Sequence, residues 1–179
     1  MEDVLGSQRE ILEYALKFEQ DGYDFYCSAS EKVSNPLGKK MLQWLAREET
    51  EHKKKLKSAY EKMKAEGKWG ESAPGTEERD TFRFKTLFSQ AKEKVKAIVP
   101  ADVDELKALE MAMEMENKGY KFYTHAQNEI EDPEGKALLE SLARDESDHY
   151  DALQNTYIYL KTPDLWFAWE EGHIYEAGP

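Results

Sequence analysis

Residues 15–26, ALKFEQDGYDFY, and residues 112–123, AMEMENKGYKFY, are two versions of one segment set 97 positions apart. A second pair keeps that offset without a gap: LAREETEH at 45–52 and LARDESDH at 142–149. The register continues through Ala29 and Ala126, Pro36 and Pro133, Gly38 and Gly135, Leu42 and Leu139, Leu56 and Leu153, and Tyr60 and Tyr157. A repeat of this kind governs the fold reading, because each unit must be the same supersecondary piece. It divides the chain into units of about 10–64 and 107–161.

Each unit reads as a helical hairpin. Ile11, Leu12, Ala15, Phe18, Gly22, Phe25 and Ala29 recur at helical spacing. SNPLG at 34–38 breaks the pattern, and Asn35 before Pro36 is a start signal for the next helix. Met41, Leu42, Leu45, Ala46 and Leu56 carry that helix to about Lys64. The second unit repeats the plan, from Leu109 to about Ile130, a break at EDPEG, then Lys136 to about Leu160. At 1.5 Å per residue, helices of ~25 residues run ~37 Å, and four of them make an all-α four-helix bundle.

The connection between helices 2 and 3 is long, about 66–101. Gly67, Gly70, Pro74 and Gly75 break the helix before it, a short helix is expected over about 82–98, and Pro100 ends the segment. A crossover of this length lets the second hairpin pack parallel to the far side of the first. The bundle thus occupies 1–161, and a tail at 162–179 carries Trp166, Phe167, Trp169 and Tyr175. Such a tail suits a cap over the bundle or a subunit contact.

Composition narrows the function. With 35% charged residues, a net charge of -12 and a pI near 4.9, the chain repels phosphate backbones and anionic membrane surfaces. Nucleic acid and membranes are therefore not expected partners. The single cysteine, Cys27, excludes an intrachain disulfide and any multi-cysteine metal site, and is expected to be a small buried core residue. MEDVLGSQRE does not read as a secretion signal, and no segment approaches the ~20 apolar residues of a membrane span. A soluble protein of a reducing cytoplasm is the expectation.

Glu49-x-x-His52 places two ligand types on one helix face. Alone it is a weak motif, but Glu146-x-x-His149 repeats it with the same Leu-Ala-Arg approach. Glu19 and Glu116 lie 30 residues upstream of the motif glutamates, each in a frame E-x-x-G-Y-x-F-Y. A helix-interior glycine costs ~1 kcal/mol against alanine, so Gly22 and Gly119 are expected to leave space beside those carboxylates. Close helix packing would use the same small residues. Four carboxylates in a bundle core repel one another and are desolvated, whereas two divalent cations make the group nearly neutral. Two imidazoles with four carboxylates and no thiolate suit iron, with manganese as an alternative.

These frames, over about 10–160, resemble the rubrerythrin-like branch of the ferritin-like di-iron superfamily. The resemblance implies a ferritin-like bundle in which Glu19, Glu49, His52, Glu116, Glu146 and His149 bind two iron ions. It also makes Tyr26 and Tyr123 tyrosines that bond ligand carboxylates or donate a proton or electron. They stand two turns beyond Glu19 and Glu116 on the same face, where a core tyrosine with a satisfied hydroxyl fits equally, and Tyr23 or Tyr120 could serve instead. Asp145 is expected to meet His52, and Glu48 to meet His149. His125 and His173 read as surface or packing residues.

The chain departs from rubrerythrin proper in two respects. Gly119 stands where that relative has a further glutamate, and the four cysteines of a rubredoxin domain are absent. The implied activity is reduction of hydrogen peroxide or dioxygen, with electrons from a separate donor protein such as a rubredoxin, in a homodimer. Ferrous-ion oxidation for iron handling, oxidation of an organic substrate, and a bundle merely stabilised by its metals are the other readings.

Overall fold

A computed structural model describes residues 2–69 and 103–162 of the chain. Four helices account for almost all of them: α1 (Glu2–Lys32), α2 (Pro36–Glu66), α3 (Val103–Ala126) and α4 (Pro133–Lys161). No strand occurs among the described residues.

The helix starts follow from local chemistry. The Asn35 side chain accepts hydrogen bonds from the Leu37 and Gly38 amides at 2.9 and 3.3 Å, and Asp132 accepts from Glu134 and Gly135 at 2.9 and 3.0 Å. Each cap satisfies amides that the first helical turn leaves without intrahelical partners, and the proline that follows has no amide to satisfy. At the other end of α2, Gly67 adopts the left-handed region (φ 68°) and its amide bonds the Met63 carbonyl. A glycine takes that conformation without a Cβ penalty.

Two boundaries differ from the sequence expectation. Helix α1 begins at Glu2, ahead of the apolar periodicity that starts at Ile11. Helix α3 stops at Ala126 rather than near Ile130; the Asn128 amide bonds the His125 carbonyl and its side chain bonds the Thr124 carbonyl, closing the last turn. Ile130 remains buried beyond the helix end.

Apolar side chains gather in two clusters. One joins Tyr26 and Ala29 of α1 with Val33 just after it, Leu37 to Ala46 of α2, Leu109 and Ala112 of α3, and Ala152 to Leu160 of α4. The other joins Leu12 and Ala15, Leu56 to Met63 and Trp69, Tyr123 to Ile130, and Leu138 to Ala143. The first cluster holds the ends of α1 and α4 with the starts of α2 and α3; the second holds the reverse. Helix α1 is therefore antiparallel to α2 and α3, and parallel to α4. The end of α2 and the start of α3 lie at opposite ends of the bundle, and the chain between them falls outside the described residues. So do the expected helix at 82–98 and the aromatic residues of the tail. Among the described residues, no helix is long and apolar enough to cross a membrane.

Between the two apolar clusters lies a polar layer at the middle of all four helices. Its members are Glu19, Glu49, His52, Glu116, Glu146 and His149, all buried.

Candidate metal centre

Ionic side chains at the centre of a bundle need a strong reason to be there, because burying an uncompensated charge costs several kcal/mol. Here the six residues converge. Ligand atoms of Glu19, Glu49, His52 and Glu146 all lie within 4.8 Å of one another, as do those of Glu49, Glu116, Glu146 and His149. Glu49 and Glu146 belong to both sets. The arrangement is thus two donor sets sharing two carboxylates, closed at one end by Glu19 and His52 and at the other by Glu116 and His149. His52 Nδ1 stands 3.2 Å from Glu19, 3.6 Å from Glu49 and 3.3 Å from Glu146, and His149 Nδ1 stands 3.3 Å from Glu116.

The two helical glycines lie against the shared glutamates, and at Gly119 the absence of a Cβ is what admits the carboxylate. A Cβ at Gly22 would stand 3.4 Å from the Glu49 carboxylate, and one at Gly119 would stand 2.4 Å from Glu146 Oε2. The space expected beside Glu19 and Glu116 is therefore taken by the shared glutamate of the neighbouring helix. Tyr26 donates to Glu116 Oε1 at 2.5 Å, and Tyr123 donates to Glu19 Oε1. Each tyrosine reaches from its own helix to the glutamate of the other unit, so α1 and α3 are pinned to each other through both.

Electrostatics divides the carboxylates. Burial works to raise Glu19, but the charge on His52, with hydrogen bonds from Glu49, His52 and Tyr123, holds it down at about 2. Burial opposes the charge on Glu116 in the same way, and His149 outweighs it. Glu49 and Glu146 are pushed well above the carboxylate range, first by burial and then by Glu19 and Glu116 respectively. Burial works against a charged His52, yet Glu19, Asp145 and Glu146 raise it well above the usual imidazole range. Without a cation, protons thus sit on the two shared glutamates.

Those same glutamates carry the misfit that a cation would relieve. Among the described residues, Glu49 Oε2 and Glu146 Oε1 are buried without a well-formed hydrogen bond, His52 Nδ1 standing 3.6 and 3.3 Å from them. A buried acceptor left unpaired costs about 1–3 kcal/mol, more if charged. Four carboxylates and two imidazoles fit a pair of divalent ions in charge and in donor type. The residues present could hold such a pair, with Glu49 and Glu146 common to both donor sets.

The rubrerythrin family model matches residues 10–157 of the chain. The chain belongs to the rubrerythrin family. Its fold is ferritin-like. A hypothetical protein from Pyrococcus furiosus is similar at 25% identity and a TM-score of 0.61, over 86% of this chain and 89% of that one. A two-domain protein of Anabaena variabilis, described as containing DJ-1/ThiJ/PfpI-like and ferritin-like domains, is similar at 17% identity and a TM-score of 0.63. That match covers 88% of this chain and 41% of the other. No curated protein matches the chain.

Around the six residues, the rubrerythrin pattern is only partly reproduced. Asp145 stands 3.4 Å from His52 Nε2, as expected, and Lys55 holds Asp145 at 3.1 Å. Glu48 does not meet His149: it is half-buried and makes no ion pair with that ring. The physical reason involves one residue of the facing helix α4 and one of α2 itself. Lys55 has Ala152 as its counterpart 97 residues on, so that position of α4 offers Glu48 no ammonium, and Trp44, one turn before Glu48 on α2, lies edge-on to His149 with ring centroids 5.1 Å apart.

Tyr23 and Tyr120 do not serve the site. Tyr23 sits under the Lys53 ammonium at 4.1 Å, and Tyr120 is exposed. Cys27 is half-buried rather than fully buried, and His125 is exposed as expected. His173 falls outside the described residues. Trp44 and Lys55 were not singled out from the sequence, although the mismatches Trp44/Ser141 and Lys55/Ala152 are visible once the two units are superposed.

Proposed function

We propose that the chain is a di-iron oxidoreductase that reduces hydrogen peroxide, or dioxygen, with electrons from a separate donor protein. The observation that carries this reading is the pair of overlapping donor sets joined by Glu49 and Glu146, each with a tyrosine hydroxyl on its terminal glutamate. In this reading Glu19 and His52 would hold one ion, Glu116 and His149 would hold the other, and Glu49 and Glu146 would serve both.

When bound in the ferrous state, the iron pair supplies the two electrons that convert peroxide and two protons to two waters. The chain's own residues do the rest. Glu49 and Glu146 surrender their protons to bind the pair. Tyr26 and Tyr123, both held as phenols by burial and by the carboxylates beside them, keep a proton within hydrogen-bond reach of the terminal ligands. The two apolar clusters exclude bulk water from either end of the layer. These residues hold one cysteine and so no four-cysteine iron site of their own; in this reading electrons arrive from another protein such as a rubredoxin. A homodimer in the cytoplasm completes the proposal.

The test is rapid mixing of the anaerobic protein, loaded with two ferrous ions per chain, against peroxide and against oxygen. The proposal expects oxidation of both ions by one peroxide, faster than by oxygen at equal concentration. Equal or slower oxidation by peroxide, or accumulation of ferric mineral with continued ferrous uptake, would overturn it in favour of iron handling.

A further inference from the structure

The two halves of the site are built from one repeated unit, yet the groups behind the two histidines differ. Behind His52, the Asp145 carboxylate faces ring atom Nε2 at 3.4 Å, and the Lys55 ammonium holds that carboxylate at 3.1 Å. Asp145 and Lys55 are each about a third exposed, so this pair reaches from the buried ring to solvent. Behind His149 there is no such pair among the described residues. The position equivalent to Lys55 is Ala152, Glu48 is left without His149, and the indole of Trp44 lies edge-on to the ring. The indole carries only an N–H donor, so it offers His149 no acceptor, and among the described residues its buried Nε1 makes no hydrogen bond.

A carboxylate on the outer nitrogen of a metal-binding imidazole fixes its tautomer, orients the ring and makes the inner nitrogen a better donor. Loss of such a partner typically lowers metal affinity about 10–100-fold. Among the described residues, one half of this site has the device and the other lacks it.

We propose that Asp145, steadied by Lys55, is a positioning residue that makes the two ion positions unequal, so that the position built on Glu19 and His52 fills before the one built on Glu116 and His149. This rests on the reading of the six residues as ligands. Shared Glu49 and Glu146 serve both positions, so the difference comes from the histidine side. Trp44 marks the second position: its ring lies against His149, and a paramagnetic ion bound there quenches an adjacent indole.

The experiment is an anaerobic titration of the metal-free protein with ferrous ion alone. Trp44 fluorescence is read as the difference between wild type and W44F, alongside the count of ions bound. In wild type the first equivalent binds with little change in Trp44 emission, and the second equivalent quenches it. In D145N the first position weakens about 10–100-fold, and quenching moves into the first equivalent. K55A shifts the order in the same direction and K55R restores it, which a purely structural role for Asp145 would not produce. Two ions bound with the same quenching course in wild type, D145N and K55A would overturn the inference while leaving the di-metal reading intact. No ion bound in wild type would overturn both.

Discussion

Gly22 and Gly119 occupy equivalent places in the two units but differ in tolerance. A Cβ at Gly22 meets Glu49 at an ordinary contact distance of 3.4 Å, whereas one at Gly119 lies 2.4 Å from Glu146 Oε2 and 3.0 Å from Phe18. G22A is therefore expected to be neutral or to stabilise the metal-free protein by up to about 1 kcal/mol through helix propensity. G119A must displace a shared carboxylate, and is expected to lower stability by about 1–3 kcal/mol and weaken metal binding. Thermal unfolding and metal titration of both variants check this.

Protonation gives a second expectation at this scale. In the metal-free state Glu49, Glu146 and His52 all have raised pKa values and hold protons near neutrality. An ion must displace those protons, so metal affinity falls as pH falls, and binding releases protons. Calorimetry in buffers of different ionisation enthalpy measures the release; a binding heat independent of buffer contradicts it. For the tyrosines, Y26F and Y123F each remove a buried donor from a terminal glutamate, at an expected cost of about 1–3 kcal/mol, with slower peroxide consumption. The meeting of Asp145 with His52 was legible from the resemblance. The failure of Glu48 to meet His149 was not, because it turns on Trp44 and Ala152 rather than on Glu48 itself.

At the level of the helices, caps were the most legible feature. Asn35-Pro36 and Asp132-Pro133 each combine a side-chain acceptor with a residue that has no amide to satisfy, and both start a helix where the sequence places one. N35A and D132A are each expected to lose about 1 kcal/mol in thermal or denaturant unfolding. The start of α1 was less legible, since apolar periodicity reports the buried face and is silent about turns that extend beyond the core. The end of α3 departs from the apolar pattern for the opposite reason: Ile130 is buried like a helix residue but lies beyond the helix end.

Over the whole molecule, the repeat reveals the bundle and its four ligand-bearing helices, since residues 97 apart make matching contacts. Tyr60 donates to Glu13 at 2.9 Å and Tyr157 to Glu110 at 2.6 Å, one in each unit. What local patterns do not encode is how the units face each other, and that decides which ligands are shared. The sequence pairs Glu19 with Glu49 and His52; the folded chain also brings Glu146 to that group, and Glu49 to the other. An ion pair held this way links all four helices, so removing it with a chelator is expected to lower Tm. Saturation at a hundredfold excess over Kd corresponds to about 2.7 kcal/mol.

The most direct test of the shared-ligand centre is metal content by elemental analysis, on wild type purified without added metal and on E49A, E146A and E19A. The account predicts two ions per chain in wild type, loss of both in E49A and E146A, and retention of one in E19A. No metal in wild type, with the helical fold and its stability unchanged in E49A and E146A, would contradict it.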